Sequence, residues 1–313
     1  MRPRHWSSPS RGKNGVMIAM AVVVLLAVGC SGGGGDGEPD VERIATVEER
    51  GSISTPCAYS HSAPDDPIVH PGHAGMSHRH DFFGATTTSA TSDAESLMDG
   101  DTTCRTQADH AAYWSPSLLV DGEPVEPAEM LAYYRVPVGA DASEIEPPPN
   151  GLEMLAGDPY TEEPQDPEVV AWTCGAPLSS AVENLAVSPV PHLCGAGGEL
   201  WLQLRFDPCW GGELLRSDDH RSHLAPLGDD GACPASHPVL LPELTLEVRY
   251  PSPASGVIAL ASGPLTGGHG DALMAWDEDH LAREVDICLR HNRRCDVISA
   301  ENRLDLDDPA AQP

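Results

Sequence analysis

The apolar and polar positions along the chain predict a protein built mainly from short β-strands. Runs rich in leucine, β-branched and aromatic residues, bounded by proline, glycine or aspartate, occur at residues 131–138, 168–174, 200–206, 244–250 and 257–261. In residues 244–250 apolar and polar side chains alternate at every step, as in a half-buried strand. We therefore expect a mainly-β fold, a sandwich or a jelly-roll-like pair of sheets with long loops.

One helix is predicted near the C-terminus, over residues 277–291. Apolar residues recur there at the spacing of one helix face, and Asp277 can cap the first turn. Between residues 51 and 302 the sequence has no linker long enough to separate two domains. We therefore predict a single domain over residues 51–302, followed by an acidic tail over residues 303–313.

The first part of the chain has the pattern of an export signal. Four basic residues precede a 13-residue apolar run at residues 16–28. As a helix that run would span about 20 Å, which is shorter than the roughly 30 Å hydrocarbon core of a bilayer. The pattern therefore predicts a signal peptide over residues 1–29 rather than a membrane anchor.

The signal peptide ends in Leu-Ala-Val-Gly-Cys30, which resembles a bacterial lipobox, although Ala27 stands where leucine is usual. The resemblance implies cleavage before Cys30 and lipidation of that residue; simple cleavage and release is the alternative. Residues 30–50 include four consecutive glycines and predict a flexible tether. We expect the protein on the extracellular face of the cell membrane, with the lipid bilayer as its partner through Cys30.

The charge balance excludes one large class of partner. The chain has a net charge of −30, and beyond residue 29 it contains 48 acidic residues, 14 arginines and no lysine. Such a surface repels phosphate backbones, so we expect no nucleic-acid partner. A hydrophobic content of 40% nevertheless indicates a folded core rather than a disordered chain.

The cysteines indicate a disulfide-stapled domain. Of nine cysteines, assigning Cys30 to lipid leaves an even set of eight: Cys57, Cys104, Cys174, Cys194, Cys209, Cys233, Cys288 and Cys295. Export to an oxidising compartment favours four disulfides, although the spacing leaves their pairing open. A zinc–thiolate site is the alternative, but no Cys-x-x-Cys pair occurs.

Candidate chemistry is concentrated in three histidine- and aspartate-rich segments. They read His78-Arg-His80-Asp81, Asp219-His220-Arg-Ser-His223 and His269-Gly-Asp271. If the first segment is extended, His78 and His80 leave the same face about 7 Å apart, which suits chelation of one metal ion, and Asp81 points the other way. We therefore predict His78, His80 and His223 as metal ligands, with His269 as a further candidate, and zinc or copper as the ion.

These three segments, in this order and with Phe-Phe-Gly after the first and Trp276-Asp after the last, resemble the family called domain of unknown function 1996. Shorter matches such as Ala112-Tyr-Trp-Ser-Pro extend the resemblance over about residues 55–290. One position departs from the pattern, because Met274 stands where the family usually has asparagine. The resemblance implies an exported protein and names no reaction.

Three functions fit these features, beside a purely structural role for the histidines. The first is a carbohydrate-active hydrolase or lyase acting on a polysaccharide, in which aspartates and histidines transfer protons and aromatic rings stack on sugars. Its acid/base candidates are Asp81, Asp219 and Asp271 with His80, His220 and His269, and its stacking candidates are Tyr113, Trp114, Trp210 and Trp276. The second is a zinc- or copper-binding extracellular protein. The third is a non-catalytic glycan-binding module.

Overall fold

The computed structural model describes residues 50–174, 194, 198–251, 253 and 255–296, all within one compact unit, Arg43–Pro313. The predicted signal peptide, Cys30, the tether up to residue 49 and the acidic tail lie outside the described residues. Arg50, the last residue of the predicted tether, is buried, and its guanidinium donates to the Val136 carbonyl over 2.6 Å. Within the described ranges no helix is long and apolar enough to cross a membrane.

Strands dominate the described residues. They are β1 Ser52–Cys57, β2 Tyr59–Ala63, β3 His80–Gly84, β4 Ala112–Pro116, β5 Leu118–Val120, β6 Glu123–Val125, β7 Glu129–Arg135, β8 Glu153–Gly157, β9 Val170–Cys174, β10 Glu199–Arg205, β11 Cys209–Trp210, β12 Leu224–Ala225, β13 Val239–Leu240, β14 Glu243–Pro251, β15 Ile258–Leu260, β16 His269–Leu273 and β17 Arg294–Asp296. Each of the five predicted strand segments corresponds to one of them: β7, β9, β10, β14 and β15.

The strands form two large sheets and two small ones. The first large sheet has six strands in the order β17-β1-β7-β14-β10-β9, antiparallel except where β17 pairs with β1. The second has five antiparallel strands in the order β2-β3-β4-β16-β8. Two three-stranded sheets, β12-β11-β13 and β15-β5-β6, lie beside them.

The large sheets pack face to face around one apolar core, which confirms the predicted sandwich. Side chains from both sheets belong to this core, and the hydroxyl oxygens of Tyr113 on β4 and Tyr134 on β7 are 2.6 Å apart. At Gly270 on β16 the sheets approach so closely that a Cβ would collide with Leu204 of β10. Glycine in the His-Gly-Asp segment therefore permits this close packing.

The outer face of the five-stranded sheet carries a second core. Phe82 and Trp114 lie on it and pack beneath Ile68 of the loop that precedes β3, and beneath Leu97 of a short helix, α1 (Ala94–Met98). Because side chains alternate along a strand, His80 shares this outer face with Phe82. The loop over residues 64–79, which we call the covering loop, therefore lies against the face that carries His80.

The predicted C-terminal helix is present and short. Asp277 caps α2 (Glu278–Glu284) by accepting from the His280 amide over 2.9 Å. The chain then continues as a π-helical segment, Val285–Leu289. Two 3₁₀ turns, Ala142–Glu144 and Leu265–Gly267, complete the described helical elements.

The eight cysteines form four disulfides, as predicted. Each joins two cysteines that follow one another in the sequence: Cys57–Cys104, Cys174–Cys194, Cys209–Cys233 and Cys288–Cys295. This pairing could not be read from spacing, and the loops that it closes range from 7 to 47 residues.

The outer face of the six-stranded sheet is buried too. Trp201, which sits within a predicted strand, packs there with Leu131. The same face holds Glu247, which is 1% exposed, with its carboxylate 3.8 Å from the Arg135 guanidinium. Neither Glu247 oxygen has a hydrogen-bond partner, and burial raises the pKa of this carboxyl to about 7. This sheet therefore buries a carboxyl group in a site that disfavours its charge.

Candidate metal centre

Two histidines reach the same end of the five-stranded sheet from different strands. His80 begins β3 and pairs with Pro116 of β4, while β16, which begins at His269, lies on the other side of β4. Their ring centroids are 6.1 Å apart, across the intervening strand. The sheet itself therefore sets the distance between these two imidazoles.

The third histidine comes from the covering loop and completes the cluster. The ring centroid of His78 is 4.2 Å from that of His80 and 5.0 Å from that of His269. Its Nε2 lies 3.1 Å from the Nε2 of His269. One ligand nitrogen from each of the three side chains lies within 4.8 Å of the other two. That spread is compatible with coordination of a single ion at ordinary metal–nitrogen distances of about 2 Å.

Backbone carbonyls set the tautomers of two of these rings. His80 Nδ1 is 2.9 Å from the Asp65 carbonyl oxygen, and His269 Nδ1 is 2.8 Å from the Gly267 carbonyl oxygen. Because a carbonyl only accepts, each Nδ1 carries the proton and each neutral ring has its lone pair on Nε2. The buried Nε2 of His80 has no hydrogen-bond partner. An Nδ1–H held by a carbonyl, with Nε2 free, is the usual arrangement of a metal-ligating histidine.

Two carboxylates lie next to the histidines. Ligand atoms of Asp66, His80 and Asp271 also lie within 4.8 Å of one another, so His80 belongs to both groups. Asp271 is two residues after His269 on β16 and thus on the same face, and its buried Oδ2 has no hydrogen-bond partner. Asp66 is held by the amides of Ile68 and Val69, which donate to its Oδ1 over 2.9 Å.

Burial controls the charges in this cluster. It lowers the pKa of His78 to about 4, and lowers the pKa values of His80 and His269 as well, so all three imidazoles are neutral at pH 7. Burial also raises the pKa values of Asp66 and Asp271. Neutral imidazoles are the form that binds metals, and a bound cation favours the ionised carboxylates.

His78 and His269 line a cavity of about 380 Å³ together with Asp66 and Asp271, and His80 is buried behind them. The cavity brings the second predicted segment to the site, because Asp219 and His220 line it together with Arg221. Asp219 itself accepts hydrogen bonds from the amides of Arg221 and Ser222, which fixes the turn that carries them. The remaining wall residues come from the covering loop, from the end of β8 and from the turn before β16.

His223 is not part of the cluster. Its Nε2 is 2.6 Å from the Glu153 carbonyl oxygen and its Nδ1 is 3.0 Å from the Ser217 hydroxyl. Both ring nitrogens are thus engaged in holding the loop, and the structure does not bring His223 to the other predicted metal ligands.

Asp81 lies on the opposite face from His80, as strand alternation predicts. It is 2% exposed, and its Oδ1 accepts hydrogen bonds from the hydroxyls of Ser62 and Ser117 over 2.6 Å each. It therefore faces the space between the sheets rather than an open cleft, and the structure does not place it with the other acid/base candidates.

The predicted stacking residues are not at the site either. Tyr113, Trp114 and Trp276 are at most 1% exposed and belong to the two cores. Trp210 is half-buried, its indole donates to the Leu214 carbonyl over 2.7 Å, and it does not line the cavity. None of these rings is therefore placed to stack on a sugar in this cavity.

Tyr113 and Trp276 instead serve a buried polar network. The Tyr113 hydroxyl donates to the Asp109 carboxylate over 2.9 Å, and the Trp276 indole donates to the Tyr134 hydroxyl over 3.1 Å. Met274 accepts from the Tyr134 hydroxyl over 3.6 Å through its sulfur. The thioether therefore belongs to this buried network.

Sequence reasoning missed two residues of the site. Asp66 precedes a proline in a loop, and Tyr160 follows one in a turn after β8, so neither lies in a periodic element. The adjacent pair Asp65-Asp66 is a weak signal for the first. No sequence signal distinguishes Tyr160 from other loop tyrosines.

The fold and the cluster together define a disulfide-stapled β-sandwich with a candidate metal centre on the outside of one sheet. This chain belongs to the family described as Domain of unknown function (DUF1996), whose model matches residues 66–276. The matched segment contains the three histidines, His78, His80 and His269, and the two neighbouring aspartates, Asp66 and Asp271. No curated protein and no solved structure matches the chain.

Proposed function

We propose that this chain is an exported metal-binding protein that holds one divalent transition-metal ion between His78, His80 and His269. Asp66 and Asp271 lie close enough to complete or support the coordination. The observation that carries this proposal is the buried Nε2 of His80, a lone pair without a partner on a ring whose ligand nitrogen groups with those of His78 and His269.

The ligand types favour zinc or copper(II). Imidazole nitrogens suit first-row transition metals, whereas calcium and magnesium prefer all-oxygen sites. All eight cysteines within the predicted domain are in disulfides, so no thiolate competes for the ion. Two carboxylates beside three neutral imidazoles would balance the charge of a divalent cation.

A purely structural role for the histidines leaves more buried polar atoms without a partner than a bound ion would. A hydrogen bond between His78 and His269 would satisfy one nitrogen of each ring. It leaves the Nε2 of His80 and the Oδ2 of Asp271 buried without partners. Leaving a buried polar atom unpaired typically costs about 1–3 kcal/mol, so two such atoms in one cluster favour an ion.

The test is a metal titration of the full chain, exported through an oxidising compartment and purified without a His-tag or chelator. We expect one zinc or copper ion per chain by calorimetry. The variant His80→Ala should bind at least about 100-fold more weakly, because it loses a ligand. His73→Ala is the matched control, since His73 is exposed in the same covering loop and does not line the cavity.

Two results contradict the proposal. One is a folded wild-type chain that binds neither ion. The other is a His80→Ala variant that keeps the wild-type affinity and stoichiometry.

We also propose, from the first 30 residues, that the protein is attached to the extracellular face of the membrane by a lipid on Cys30. The variant Cys30→Ser should move the protein from the membrane fraction to the medium. Retention of this variant on membranes would refute lipid attachment.

A further inference from the structure

An exposed aromatic ring stands at the mouth of the cavity. Tyr160 is 88% exposed, more than any other large apolar side chain in the described part of the chain. Its backbone is held in a turn, with the Tyr160 amide donating to the Asp158 carboxylate over 2.9 Å. A tyrosine exposed to water on such a turn offers an apolar face with a polar edge.

A second exposed apolar side chain lines the same cavity. Met76 of the covering loop is 63% exposed. Among the described residues, the other large apolar side chains of comparable exposure lie away from the cavity: Val138, Leu214, Leu215 and Val257. Among the described residues, the cavity is therefore lined by both an exposed aromatic side chain, Tyr160, and an exposed aliphatic one, Met76.

The walls below these two residues are polar and incompletely hydrogen-bonded. The Ser262 hydroxyl and the Nδ1 of His220 are buried in the cavity wall, and neither has a hydrogen-bond partner. Both atoms are covered, so they make the wall polar without being open contacts for a ligand. At about 380 Å³ the cavity is within the range of small-ligand sites.

The charges at the cavity disfavour an anionic ligand. Four aspartates line it, Asp66, Asp158, Asp219 and Asp271, against one arginine, Arg221. The Arg221 guanidinium already donates to the Gly157 carbonyl. With a net charge of −30 on the whole chain, a polyanion would be repelled before it reached the cavity.

We propose that this cavity binds one sugar unit of a neutral polysaccharide. The sugar ring lies against Tyr160 and Met76, with a hydroxyl directed to the ion. The contact with the ion rests on the proposed function; the contacts with Tyr160 and Met76 do not. The aromatic contact thus comes from a loop tyrosine and not from the buried tryptophans.

Affinity electrophoresis of the full chain tests this inference. The probes are a soluble β-glucan, a galactomannan and a xylan as neutral polysaccharides, and polygalacturonate as an anionic one. We expect retardation by at least one neutral probe and none by polygalacturonate. Tyr160→Ala should weaken that binding about tenfold, since an aromatic contact is worth about 0.5–1.5 kcal/mol and 1.4 kcal/mol corresponds to a factor of ten.

The control is Val257→Ala, which removes another strongly exposed apolar side chain away from the cavity and should leave polysaccharide binding unchanged. Equal binding by Tyr160→Ala and wild type, binding to none of the neutral probes, or preference for polygalacturonate would each overturn the inference.

Metal titration of the same samples separates the two proposals. Tyr160→Ala should still bind one ion, so loss of polysaccharide binding with intact metal binding supports both proposals. A wild-type chain that binds metal but no neutral probe overturns this inference alone. A chain that binds a neutral probe through Tyr160 but takes up no ion supports the sugar site and overturns the metal centre.

Discussion

Replacing Cys57 and Cys104 together by alanine is expected to lower the free energy of unfolding by about 4 kcal/mol. This disulfide closes a loop of 47 residues, and both of its sulfurs are buried in the core beside Asp109. A cross-link over a long loop removes much conformational entropy from the unfolded chain, which is the main source of its stabilisation. Alanine rather than serine avoids placing a hydroxyl group in that apolar site.

The matched comparison is the pair Cys288→Ala and Cys295→Ala, which opens a loop of only 7 residues. The same relation predicts a loss of about 2 kcal/mol for this pair. Chemical denaturation of both double variants and the wild type, without reductant, measures the two losses. Equal losses, or a larger loss at the short loop, would show that loop length does not govern disulfide stabilisation here.

The second large effect is expected at Glu247, where glutamine should stabilise the protein at pH 8 but not at pH 4.5. The carboxyl is almost fully buried and its pKa is raised to about 7, from an ordinary value of 4.5. Between pH 4.5 and pH 7 the unfolded chain has released this proton while the folded chain keeps it. The contribution of Glu247 to the free energy of unfolding therefore falls as the pH rises from 4.5 to 7.

At about 1.4 kcal/mol for each pH unit, the window of 4.5 to 7 corresponds to about 3 kcal/mol. Glu247→Gln has no carboxyl group to ionise. The free energy of unfolding of the variant, relative to wild type, should therefore rise by about 3 kcal/mol between pH 4.5 and pH 8. Denaturation curves at both pH values measure the difference. Glu123→Gln, at an exposed strand position, should show no such change.

A constant difference between Glu247→Gln and wild type at the two pH values would contradict the pKa shift. It would mean that the Arg135 guanidinium, 3.8 Å away, compensates for the burial of the carboxylate.

Four strands of the six-stranded sheet were predictable from their runs of leucine, β-branched and aromatic residues, whereas no strand of the five-stranded sheet was predicted. Residues 244–250 alternate at every position, and the structure places this segment as β14 in the middle of the six-stranded sheet. The predicted helix starts at the expected cap, Asp277. The strands β3 and β16 were not predicted, because histidine, aspartate and glycine interrupt the apolar pattern in each of them.

The candidate site was predictable only in part, because local spacing says little about contacts between distant segments. The alternation of His80 and Asp81 correctly placed them on opposite faces of a strand. His78 and His269 are 191 residues apart, and only the order of strands in the sheet brings them together. The exposure of an aromatic ring depends on the whole fold, so the buried Trp114 and the exposed Tyr160 could not be told apart.

The origin of the three imidazoles has a consequence for the order of assembly. His80 and His269 sit on strands separated by one other strand, and hydrogen bonds of the sheet hold both in register. Their spacing is thus complete once the sheet has formed, and only His78 comes from a loop. Unlike a small zinc-nucleated module, whose chain folds around its ion, this domain would complete its sheet first and be metallated afterwards. The supply of metal would then limit how much of the protein holds an ion, but not how much is exported. Folded protein without an ion would leave the cell and bind its metal outside.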